Sequence, residues 1–202
     1  MAETDNVIDI AFVIDGGQLP PEHARALAEA LEQALPWASD SATLGVHPLK
    51  LARGGGQALL SGRTRLTLRV PRERAEAVVG LAGGELPLPG GSLRLGAAQA
   101  RELLPWGTLY AHCVSAGDSV DELAFLQAAQ TELQALGIRG RVICGLPRRG
   151  ADGALQGYGV MVDQLSATDS VTLQCHGLGA GRRVGLGLFV PHKSAAAVGA
   201  AP

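Results

Sequence analysis

A chain of 202 residues with 47% hydrophobic side chains can pack one core or two small ones, and no apolar run approaches the ~18 residues a bilayer span needs. Met1 to Asn6 is acidic with no signal-like apolar stretch behind it, so a cytoplasmic protein without a membrane partner is expected. Cys113, Cys144 and Cys175 are an odd set with no close pair, which argues against a disulfide framework and reads as core.

Val7 to Ile14 is a β-rich apolar run interrupted by Asp9 and closed by Asp15-Gly16-Gly17, a strand entering a turn. Pro20 and Pro21 suit a first helical turn, and Ala24, Leu27, Ala28, Leu31, Ala34 and Leu35 form a buried stripe that stops at Pro36. Leu44 to Leu51 and Arg63 to Val70 read as strands, the second alternating Leu66, Leu68 and Val70 with Arg65, Thr67 and Arg69. A helix from Pro71 to about Leu81 and a strand or hairpin from Leu86 to Leu95, broken at Pro89-Gly90-Gly91, complete a β-α-β-β-α-β order.

The pattern then restarts. Leu109 to Val114 is a strand, Ser119 to Leu136 a helix with Leu123, Leu126, Ala129, Leu133 and Leu136 on one side, and Arg139 to Leu146 a strand. Gln156 to Leu165 and Val171 to His176 add two strands and Leu186 to Val190 a short one, leaving only Ser166 to Ser170 for a second helix. The expected class is α+β: two tandem ferredoxin-like (RRM-like) domains, the second truncated, each an antiparallel sheet backed by helices. Residues 1–103 form the first, 104–193 the second, and alanine-rich 194–202 a frayed tail.

Net charge is only −2, yet residues 1–138 hold 10 basic and 16 acidic side chains and residues 139–202 hold 7 and 3. A basic stretch lies inside the acidic part: Lys50, Arg53, Arg63, Arg65, Arg69, Arg72 and Arg74 against Glu73 alone. The preference for arginine over lysine suits planar recognition of phosphates and bases, and a GC-rich genome would produce the same bias. Between Gly177 and Gly187 two Gly-Leu-Gly triplets enclose five residues centred on Arg182 and Arg183. Glycines at this density permit φ > 0 and bare backbone N–H groups, and the arginines add forked donors suited to a polyanion. The alternative is a tight, glycine-relieved crossing of two strands whose arginines point into water.

These residues resemble the CRISPR-associated endoribonucleases of the RAMP superfamily, which cut precursor CRISPR RNA within each repeat. The Gly177 to Gly187 segment fits that family's Gly-apolar-Gly, five residues, Gly-apolar-Gly signature, and its continuation Leu188-Phe189-Val190-Pro191-His192-Lys193 resembles the myxobacterial-type subfamily. Leu19-Pro20-Pro21-Glu22-His23 and Leu44-Gly45-Val46-His47-Pro48-Leu49 are similar to its N-terminal landmarks, whereas Trp37-Ala38-Ser39 stands where that subfamily has a Leu-His.

The resemblance implies cofactor-free, metal-independent cleavage of repeat RNA, in which a ribose 2′-OH attacks the adjacent phosphate to leave 2′,3′-cyclic phosphate and 5′-OH ends. That chemistry needs a base, an acid and cations to offset phosphate charge, and histidine is the natural proton carrier near neutral pH. His23, in the first turn of the first helix, is the first candidate, its alternative a surface histidine or a structural one packed on Trp37 or the next strand. His47, close to Lys50, is the rival, its alternative a residue of a strand packed for structure. The implied RNA-binding set is Gly177, Gly179, Gly181, Arg182, Arg183 and Gly185, with Lys50, Arg53, Arg63, Arg65, Arg148 and Arg149. The expected partners are a CRISPR repeat stem-loop and effector-complex subunits.

His112-Cys113 and Cys175-His176 are adjacent pairs on expected strands, so each pair points to opposite faces and no zinc site is expected. Tyr110, Tyr158 and Trp106 suit base stacking, but aromatic side chains in a chain with only 3% of them are more often core. A non-cleaving RNA-binding subunit of an effector complex is the alternative function. A phosphate-binding metabolic enzyme lacks the strand-to-helix glycine motif it would need.

Overall fold

Strict alternation builds the first strand, β1 (Val7–Gly16): Ile8, Ile10, Phe12 and Ile14 are buried on one face, and Asp9 and Ala11 lie on the other. The computed structural model describes residues 6–16, 19, 23–54, 57–119, 121–149 and 155–193. Helix α1 (His23–Ala34) lays Ala26, Leu27, Ala30 and Leu31 into the cluster that holds Ile10 and Phe12, and Pro36, which opens a 3₁₀ turn, prevents its continuation. The prolines expected to start this helix lie outside the described residues.

Two units divide the chain: one holds the described residues up to Glu102 together with Arg183–Gly185, the other Leu103–Arg182 and the described residues from Leu186 onward. In the first, β2 (Gly45–Val46), β5 (Arg65–Pro71), β1, β7 (Gly91–Glu102) and β6 (Glu85–Leu88) lie in that spatial order as an antiparallel sheet. Helix α2 (Ala75–Val79) buries Val78, and β3 (Ala52–Gly54) pairs with β4 (Gln57–Leu59) as a separate hairpin. The order β7-β1-β5-β2 is the split β-α-β arrangement of a ferredoxin-like sheet. The expected strand over Leu44 to Leu51 shrinks to two residues because Pro48 has no N–H to continue the ladder; the last bond runs from the His47 N–H to the Thr67 carbonyl, 2.9 Å.

The second unit runs β8 (Thr108–Ser115), α3 (Glu122–Ala135), β9 (Arg141–Arg149), β10 (Leu155–Asp163), α4 (Ala167–His176) and β11 (Val190–Pro191), with sheet order β11-β8-β10-β9. Its core joins Leu109, Ala111 and Val160 of the sheet to Phe125 and Leu133 of α3 and Leu173 of α4.

Here the structure corrects two expectations. Val171 to His176 is helix, so the second unit is not cut short: α4 supplies the missing second helix. The alternation Val171, Leu173, Cys175 imitates a strand, but Ser166 caps the helix by accepting from the Asp169 N–H at 3.1 Å, and Ser170, Leu173 and Gln174 are its buried face. Gly177, at φ 68°, ends it, its N–H donating to the Leu173 carbonyl at 2.8 Å. Cys175 and His176 are therefore neighbours on a helix. The glycine segment accordingly follows a helix and not a last full strand.

Candidate functional site

Register places three polar side chains on the sheet face opposite α1. Asp9 pairs with Arg69, Arg69 pairs with Gly45, and His47 lies two residues beyond Gly45, hence on the same side. The Arg69 guanidinium, 1% exposed, grips Asp9 with two bonds, Nε to Oδ1 at 2.8 Å and Nη2 to Oδ2 at 2.9 Å. His47 Nε2 faces the same Oδ1 at 3.6 Å. Burial pushes the Asp9 carboxyl up, but the facing imidazole and the guanidinium outweigh it and hold the group well below the usual carboxylate range.

Because this folded-state value is depressed, Asp9 contributes stability above the ordinary carboxylate range near 4 and loses that contribution as pH falls through the folded value. Urea melts between pH 5 and 2.5 are expected to show a shallower loss of stability in Asp9→Asn than in the wild type; parallel curves would exclude this coupling.

His47 neighbours a cationic edge. The Thr64 hydroxyl donates to the Lys50 carbonyl at 3.1 Å, tying the segment after His47 to the start of β5. Lys50, Arg63 and Arg65 are exposed there, and Arg65 Nη1 donates to the Gly62 and Thr64 carbonyls at 3.0 and 2.8 Å, which restrains its direction. The side chain of Arg53 lies outside the described residues. His23 opens α1 half-buried, in the helical layer and not on the face of His47.

The glycine segment has a mainly internal architecture. Gly177, Gly179, Gly181, Gly185 and Gly187 all have φ between 67° and 93°. Leu178 N–H donates to the Gly187 carbonyl at 3.2 Å and Gly187 N–H to the Cys113 carbonyl at 2.8 Å, so the triplets cross and pin to β8. The Gly179 N–H is taken by both oxygens of Glu132 on α3 at 3.0 Å. The amides of Gly177, Gly179 and Gly187 thus bond within the protein, where bare N–H groups were expected.

The two arginines are treated differently. Arg182 is buried, 8% exposed, and its Nη1 donates to the carbonyl of His176 at the end of α4. Arg183, part-exposed, belongs with the first unit, where Nη1 pairs with Glu32 of α1 at 2.5 Å and donates to the Ser39 carbonyl at 3.1 Å. Gly185 lies against Val46 and Pro48, the residues flanking His47: a Cβ added there would meet Pro48 Cγ at 3.1 Å.

In the second unit Arg148 Nε donates to the His112 carbonyl and Nη2 to the Tyr110 hydroxyl, both at 3.2 Å, while Arg149 beside it is exposed. Tyr110 meets the His192 ring at a tilt of 52° with centroids 5.6 Å apart, whereas Tyr158 is buried against Phe125. Burial lowers the His112 imidazole's pKa, helped by the Arg148 charge, and raises the Cys144 thiol to about 11. Among the described residues no three His, Cys, Asp or Glu side chains gather closely enough to hold a metal ion, and no helix is long and apolar enough to cross a membrane.

Sequence reasoning counted Arg69 among the cations of the basic stretch, whereas it is buried, and passed over Asp9, Glu32 and Glu132 as site residues. Asp9 alone carried a signal, a single charge inside an apolar strand.

Two ferredoxin-like sheets in tandem, the second followed by a crossed glycine segment, define a tandem ferredoxin-like protein. The family model described as Cas6 CRISPR matches residues 8–194. The CRISPR-associated endonuclease Cas6 of Myxococcus xanthus is 33% identical over 193 residues, 95% of this chain and 84% of that protein. The chain belongs to the Cas6 family. A solved Cas6-related protein from Pyrococcus furiosus superposes with TM-score 0.63 at 14% identity, covering 91% of this chain and 98% of that one. A CRISPR-associated protein Cas6 structure gives 0.64 at 12% identity over 93% and 100%. At such identities the likeness is one of fold.

Proposed function

We propose that this protein is an endoribonuclease that binds CRISPR repeat RNA in the cytoplasm and cuts precursor CRISPR RNA, with the ribose 2′-OH attacking the adjacent phosphate to leave 2′,3′-cyclic phosphate and 5′-OH ends without a metal ion. The observation that carries the reading is His47, oriented toward Asp9 beside the exposed cations Lys50, Arg63 and Arg65, in a member of a family whose Myxococcus xanthus relative is a CRISPR-associated endonuclease. His47 transfers the proton, and the lysine and arginines hold the flanking phosphates. His23, at the start of α1, is the alternative proton carrier.

In the second unit, Arg148 and the exposed Arg149 lead into the β9–β10 connection and are assigned to the RNA stem. The glycines and Arg182 shape the segment that carries Arg183 and Gly185; Arg183 is the member of the pair assigned to phosphate.

Incubation of the protein with the repeat RNA of its own locus in EDTA is expected to yield a product ending in 2′,3′-cyclic phosphate and a fragment with a 5′-OH. RNA that stays intact while bound at saturating protein would overturn cleavage and leave an RNA-holding subunit. Affinity is expected to fall with salt through counterion release, and Arg63→Ala with Arg65→Ala to flatten that slope by about 1–2; an unchanged slope would remove both from the phosphate contacts.

A further inference from the structure

An aspartate gripped by a fully buried arginine on the sheet face opposite α1 needs explaining, because an ion pair at this depth contributes no more stability than well-packed apolar side chains of equal volume. Asp9 is flanked along β1 by Ile8 and Ile10, and Arg69 along β5 by Leu68 and Val70, all buried. The pair fixes a carboxylate oxygen in space: Arg69 holds both Asp9 oxygens, the register of β1 on β5 holds Arg69, and Oδ1 is left facing His47 Nε2.

We propose that Asp9, clamped by Arg69, is the positioning residue that orients the His47 imidazole and stabilises the imidazolium formed when His47 takes up a proton; this rests on the assignment of proton transfer to His47. A carboxylate in this role holds the ring and offsets its developing charge without entering the reaction. Gly45, in register with Arg69, puts no side chain beside the guanidinium on this face. The charged groups around His47 are Asp9 on β1 and Arg69 on β5, with Arg101 of β7 in register with Asp9, Lys50 three residues on, and Arg183 on the segment whose Gly185 packs against Pro48.

The test is an NMR titration of the His47 ring in the full chain, together with single-turnover cleavage of repeat RNA against pH, in wild type, Asp9→Asn and Asp9→Glu. In Asp9→Asn the His47 titration is expected about one pH unit lower, the acid limb of the rate profile to move down with it, and the rate at pH 7 to fall about 100-fold, with RNA affinity within about twofold. Asp9→Glu is expected to restore the titration in part. Equal His47 titrations in wild type and Asp9→Asn, or equal cleavage rates, would overturn the proposal. If Asp9→Asn does not fold, the wild-type titration decides: a His47 value at or below about 6.5 overturns it and a higher one supports it. Full cleavage by His47→Ala would instead refute the catalytic assignment, while the titration would still report on the Asp9 and His47 coupling.

Discussion

Replacing His47 by alanine is expected to slow cleavage of repeat RNA by about 10²- to 10⁴-fold while RNA affinity stays within about threefold. The two effects are expected to separate because the role proposed for the ring is a proton path, whereas affinity is assigned to exposed cations: Lys50, Arg63 and Arg65 in the same unit, Arg149 in the other. The side chain is only 13% exposed, and its Nε2 faces the Asp9 carboxylate at 3.6 Å. Single-turnover cleavage with saturating protein gives the rate, and filter binding gives the affinity. Undiminished cutting by His47→Ala combined with loss in His23→Ala would move the role to α1; undiminished cutting by the double variant would remove both histidines from the chemistry.

Gly187→Ala is expected to lower the stability of the second unit by about 3 kcal/mol or more. Gly187 sits at φ 67°, which costs an L-residue about 1–2 kcal/mol by itself, and an added Cβ would collide with the Leu178 carbonyl, a backbone atom held by the crossing of the triplets. Gly117→Ala is the control. It has φ 53° and open space around its missing Cβ, so strain alone operates and about 1 kcal/mol is expected. Thermal melts of both variants separate strain from collision: equal shifts would mean that the crossing yields, and that the glycines are kept for some purpose other than close approach.

Much of the fold was legible because it rests on periodicities. The alternation of Leu66, Leu68 and Val70 and the stripe of α1 each announce a buried face, and one β-α-β-β-α-β run followed by a second read as cut short suffices to predict paired ferredoxin-like sheets. The reading failed at α4, where Val171-Thr172-Leu173 favours a strand locally. The cap formed by Ser166 and the stop at Gly177 were the quieter signals that tertiary packing obeyed.

The site was legible only in part. His47 and the basic stretch could be singled out from residue type, but the Arg182-Arg183 pair could not be divided. Adjacent in sequence, they part in space: one guanidinium caps a helix carbonyl in the interior and its neighbour pairs with Glu32. Direction around a turn of 3₁₀ helix separates them, and no composition reports it.

By itself, then, the sequence determined the class of fold, the family and the residue types available for chemistry, since these depend on local pattern and on motifs contiguous along the chain. Only the tertiary structure decided which charges meet. Asp9, His47 and Arg69 are distant in sequence and come together because antiparallel register sets them side by side on one face of a sheet, and register is a property of strands already paired.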